Sequence, residues 1–87
     1  MNFTVGQVVY SKCGHDKGKA FIIVSLEENF AYIADGRSRT LEKPKYKKLK
    51  HLQVTGYIFE NIKNKILNKE YILDSEIKKA LIAIRDF

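Results

Sequence analysis

The chain has one cysteine, one proline, one methionine and no tryptophan in 87 residues. A single cysteine allows no internal disulfide, which fits a reducing compartment and points to the cytoplasm. It also leaves no Cys-x-x-Cys pair from which a structural zinc site is usually built. Cys13, His15 and His51 are the only cysteine and histidines, too few for a four-ligand site without carboxylates, so no metal is expected. The longest purely apolar run, residues 20–24, is far too short to cross a bilayer. The first residues lack the basic region and long apolar run of a signal peptide. No nucleophile elbow, phosphate-cradling loop or dinucleotide fingerprint is present. Asp16, Glu27, Glu28 and Asp35 fall where turns are expected, and carboxylates there are solvated or bond the local backbone. The expectation is therefore a protein that is not an enzyme, with no cofactor, no membrane contact and no small-molecule substrate.

Positive charge is what the chain has in excess, and its position matters more than its amount. The net charge is +6. Residues 37–51 hold seven cations, Arg37, Arg39, Lys43, Lys45, Lys47, Lys48 and Lys50, against Glu42 alone, so this segment carries the whole excess. A surface charged only for solubility would spread it. Charge concentrated in one segment is the electrostatic footprint of a polyanionic partner. The ordinary alternative is a solvated loop.

Apolar content of 45% and charged content of 30% are globular values. The chain is organised around residues 6–24, where two β-prone runs flank a polar loop. Val8, Val9 and Tyr10 form the first run, and residues 20–24 with Leu26 form the second. Gly14 and Gly18 lie in the loop, where a sharp backbone turn needs residues that tolerate positive φ. Lys12, His15, Lys17 and Lys19 crowd the same loop, and their mutual repulsion again asks for an anion.

Strands are expected at 5–12, 19–27 and 30–34. Asp35-Gly36 is a hairpin signal, returning the chain as a short fourth strand over 37–41. Pro44 breaks the ladder, and 47–54 supplies a closing strand anchored by Leu49 and Leu52. Phe21 and Ile23 face one side of the second strand, while Ile22, Val24 and Leu26 face the other. The fold class is mostly β with C-terminal helices: five short strands joined by tight turns suggest a small SH3-like barrel over 1–54. The period then changes. Ile58, Phe59, Ile62, Ile66 and Leu67 recur at helical spacing, with Gly56 before them. Ile77, Ala80, Leu81, Ile84 and Phe87 share one face of a second helix whose N-cap would be Asp74. Residues 55–87 thus read as two short α-helices, marginal alone, packed on the barrel.

Gly6-x-Val8-Val9, then Gly14-x-x-Lys17-Gly18-Lys19 and an apolar run, resemble a KOW motif, a β–loop–β unit of ribosomal proteins and transcription elongation factors. The stretch 35–52, with its Asp-Gly turn, Lys43-Pro44-Lys45 and Lys50-His51-Leu52, is similar to KOW proteins related to the eukaryotic-type large-subunit ribosomal proteins of the L-fourteen-e group. The resemblance covers residues 4–54. It implies an RNA-binding protein of the ribosome or translation apparatus, with ribosomal RNA as the main partner and ribosomal proteins as further candidates.

On this reading the RNA-binding residues are Lys12, His15, Lys17, Lys19, Arg37, Arg39, Lys43, Lys45, Tyr46, Lys47, Lys48, Lys50 and His51. The cations would contact phosphates, and Tyr46 would either stack on an unpaired base or cover the barrel. Residues 52–87 carry a net charge of only +1 and are expected to complete the fold without carrying the RNA site. The rival reading is a protein-interaction module of the same fold, docking a partner through its helical tail, which exposed Ile72 and Ile82 would favour. A duplex-DNA binder comes third, since no recognition-helix pattern is evident.

Overall fold

A computed structural model describes residues 2–85. The chain runs through β1 (Gln7–Ser11), β2 (Ala20–Leu26), β3 (Phe30–Ala34), β4 (Lys45–Lys48), a 3-10 turn (Leu49–His51), β5 (Leu52–Ile58), α1 (Glu60–Leu67) and α2 (Asp74–Arg85). The strands form one antiparallel sheet in the order β4-β3-β2-β1-β5. Strands β4 and β5 are its two edges, and no ladder joins them. The sheet is open where a closed barrel was expected.

The expected strand at 37–41 does not form. The Asp35 carboxylate accepts the amides of Arg37 at 2.8 Å and Arg39 at 2.9 Å, and the Asp35 amide donates to the Arg39 carbonyl at 2.9 Å. These local bonds compete with a ladder and curl the segment. The fourth strand forms beyond Pro44 instead, pairing Lys45 with Ile33 and Lys48 with Phe30. The expected strand over 47–54 is cut by the 3-10 turn, and β5 then runs on to Ile58. Ile58 therefore belongs to a strand and not to the first helix, and the expected boundary at 54/55 falls within β5.

Both faces of the sheet are buried at its centre, as the apolar run in β2 requires. Phe21 and Ile23 join Val9, Ala31, Ile33 and Leu52 on one side. Ile22 joins Val8 on the other side, under Ile62 of α1 and Ile77 and Leu81 of α2. Leu26 packs on the first cluster, not beside Ile22. The register shift between Ile23 and Ser25 is the cause, because one extra residue reverses which face the following side chains take. Burying an aliphatic side chain is worth about 1.5–3 kcal/mol. The shared cluster thus supplies what helices of 8 and 12 residues lack on their own. Leu67 is exposed, and Phe87 lies outside the described residues.

Two glycines let the helices approach. Gly6 has φ +83° and Gly36 has φ +79°. A Cβ on Gly6 would lie 2.7 Å from Lys63 Cβ. One on Gly36 would strike the Asp74 carbonyl and lie 2.9 Å from the Lys78 amide nitrogen. Asp74 is the first residue of α2, and its carboxylate accepts the Leu41 amide at 2.7 Å, tying the helix to the 35–44 loop. Gly18 also has positive φ, +85°, as its loop position suggested, but nothing lies within 4 Å of where its Cβ would be.

These two glycines separate strain from contact. Gly18→Ala should cost about 1–2 kcal/mol, the penalty of a left-handed backbone alone. Gly36→Ala should cost clearly more, because strain and collision with α2 combine. Urea unfolding of both variants would measure this, and equal losses would refute the close approach at Gly36.

Candidate nucleic-acid interface

Strands β1 and β3 run in the same direction, both antiparallel to β2, so the 12–19 and 35–44 loops emerge at the same end of the sheet. The first loop is held by backbone bonds: Gly18 to the Ser11 carbonyl at 2.8 Å, Lys19 to the Asp16 carbonyl at 2.9 Å, and Lys12 to the His51 carbonyl at 2.8 Å. That compactness leaves Lys12, His15, Lys17 and Lys19 exposed, while Asp16 is buried. The Asp16 carboxylate meets the Arg39 guanidinium at 3.6 Å, which joins the two loops. Arg39 Nε is buried without a hydrogen-bond partner while the side chain keeps 35% of its surface exposed, so this arginine is shared between the loop contact and solvent.

Lys47 is also turned inward. It is only 8% exposed. Its Nζ donates to Ser11 Oγ at 2.6 Å and to the Cys13 carbonyl at 2.8 Å, and Ser11 Oγ donates to the same carbonyl at 2.9 Å. This lysine, expected to face RNA, instead spans from edge strand β4 to the end of β1. Strand alternation then directs its neighbours Tyr46 and Lys48 to the opposite face.

On that face Tyr46 stacks on Phe30, with centroids 4.4 Å apart and planes 8° apart, and meets Tyr32 at 4.8 Å and 48°. The Tyr46 hydroxyl donates to Glu27 Oε1 at 2.7 Å. Tyr46 is still 44% exposed. It thus covers neighbouring rings and leaves part of its surface open. Lys48 and Lys50 flank Phe30 at a shallow cleft completed by Asn29 and Leu49. Phe30 and Tyr32 were not among the expected site residues, although their i, i+2 spacing in a strand places them on one face.

The remaining cations are exposed or half-buried: Lys43, Lys48, Lys50 and Arg37 are exposed, and Lys45 and His51 are half-buried. The described residues contain two ion pairs, Arg39–Asp16 and Lys65–Glu76, the second joining α1 to α2 at 3.0 Å. None of Lys12, Lys17, Lys19, Arg37, Lys43, Lys45, Lys48 and Lys50 is in an ion pair among the described residues. Lys78 of α2, also missed, lines a groove with Lys19 and Arg37. Among the described residues no group of three or more His, Cys, Asp or Glu could hold a metal ion, and no helix is long and apolar enough to cross a membrane. No protein-family model matches the chain, and no curated protein matches it.

Glu27 pushes the Tyr46 hydroxyl up from the ordinary 10.0 to about 12, first by accepting its hydrogen bond, then with help from desolvation and from the carboxylate charge itself. A raised folded pKa means that the contact is fully present below pH 10, the unfolded value, and is lost as pH rises through about 12. Ultraviolet titration should show one late-ionising tyrosine that Glu27→Gln returns toward 10. A late midpoint surviving Glu27→Gln would contradict the assignment.

Proposed function

We propose that the chain is a cytoplasmic RNA-binding protein of the translation apparatus that holds RNA through phosphates and shape. The observation that carries this reading is the set of eight lysines and arginines without ionic partners among the described residues, carried on two adjoining loops, edge strand β4 and the 3-10 turn that follows it. Like charges held together by the fold repel one another, and phosphates relieve that repulsion while releasing condensed counterions. The aromatic trio adds a second element. An unpaired base can extend the Phe30–Tyr46 stack over the open part of the tyrosine ring, between lysines that hold its flanking phosphates.

The strand plan supports reading the sheet as a partly open SH3-like barrel, with the 3-10 turn leading from β4 into β5 and Lys47 crossing the seam. Ribosomal RNA as the particular target rests on the resemblance of residues 4–54 to KOW proteins.

The rival, a protein-docking helical tail, has less support. Ile72 packs against the helix cluster. Ile82 is exposed but borders the cationic groove. Leu67, Tyr71 and Leu73 remain as exposed apolar surface on and after α1, and a partner captured there would favour the rival.

Replacing Lys43, Lys45, Lys48 and Lys50 together by alanine should weaken binding to single-stranded RNA. It should also flatten the plot of log affinity against log salt by about 0.7 for each phosphate no longer neutralised. An unchanged slope in a folded variant would reject the proposal.

A further inference from the structure

We propose that α2 completes the RNA site: Lys19, Arg37 and Lys78 surround a groove that takes one unpaired nucleotide, the cations on its phosphate and Tyr10, Leu81 and Ile82 against its base. This rests on the RNA-binding reading and extends it to an element whose near-neutral charge had argued against it. The groove encloses about 620 Å³ between the 12–19 loop, the 35–39 loop and α2, within the range of about 300–1,000 Å³ usual for ligand pockets.

Three separate parts of the chain converge there, and the fold fixes the convergence. Gly36, at φ +79°, brings the loop directly onto the first turns of α2, where a Cβ would lie 3.2 Å from Lys78 Cβ. Backbone packing therefore sets Arg37 beside Lys78 although their charges repel. No ion pair among the described residues neutralises Lys19, Arg37 or Lys78. Asp35, the one acid lining the groove, has its carboxylate engaged by the Arg37 and Arg39 amides and by the Ser38 hydroxyl at 3.3 Å. Three cations thus face one carboxylate, which leaves the groove net positive and able to take a further anion, and the adjoining apolar wall suits the flat face of a base.

The helix's near-zero net charge conceals this because its charges are segregated. Glu76 pairs with Lys65. Lys79 lines a different cleft with Glu76 and Lys65, between the two helices. Lys78 faces the groove.

The test measures affinity of the full chain for a single-stranded RNA oligonucleotide and for an RNA duplex over a series of salt concentrations. Variants are Lys78→Ala, Arg37→Ala, their double, and Lys79→Ala as the control on the same helix, each checked by thermal melting. Lys78→Ala should weaken single-strand binding severalfold and lower the salt slope by about 0.7. Lys79→Ala should change neither. The double variant should lose less than the product of the single losses, because both cations share one phosphate. If Lys78→Ala matches Lys79→Ala while the quadruple variant of residues 43–50 still loses affinity, the groove assignment is overturned and RNA binding stands. If the quadruple variant also binds normally, both fail. Equal losses on duplex and single strand would overturn the assignment of an unpaired nucleotide.

Discussion

Lys47 bridges a seam that the backbone does not close. Strands β3 and β2 lie between its own strand, β4, and β1, yet its nitrogen reaches Ser11 Oγ and the Cys13 carbonyl. A closed barrel would join β4 to β5 by a ladder. Here the sheet curls until one long side chain can cross from edge strand β4 to the end of β1 and meet two acceptors. A hydrogen bond from a charged donor is worth about 1.5–3 kcal/mol, so the bridge matters to a chain this small. It also sets the register: with Lys47 facing in, Tyr46 and Lys48 face out, and a slip by one residue would reverse all three.

The surface follows from that constraint. Arg39 ties the 35–39 loop to Asp16 in the 12–19 loop, while Gly36 and Asp74 tie the same region to α2. Two members of the basic segment, Arg39 and Lys47, thus hold the frame on which the others stand. The others have no ionic partner among the described residues. On the proposed RNA-binding reading, phosphates would meet charges whose backbone positions the fold has already fixed, which lowers the ordering cost of binding.

Much of this was readable from residue order. The strand at 30–34, the positive φ at Gly18 and the burial of Ile62, Ile77 and Leu81 follow from alternation, loop chemistry and helical spacing. The strand expected at 37–41 failed because Asp35 bonds its own loop, a local competition that Asp-Gly does not distinguish from a hairpin. Charge counting treated every lysine in 37–51 alike, and only the tertiary position of Ser11 and Cys13 draws Lys47 inward. Lys78 was hidden for a related reason, since a segment's net charge says nothing about which face each cation occupies.

The division of labour within the basic segment is most directly tested by comparing Lys47→Met with Lys48→Met, recording melting temperature and the salt dependence of RNA affinity on the same samples. Methionine roughly keeps the length of the side chain and removes its hydrogen-bonding nitrogen. Lys47→Met should lower the melting temperature and leave the salt slope unchanged in the folded protein, and Lys48→Met should lower the slope by about 0.7 and leave melting unchanged. If Lys47→Met flattened the salt dependence as much as Lys48→Met without loss of stability, the inward lysine and the frame built on it would both be contradicted.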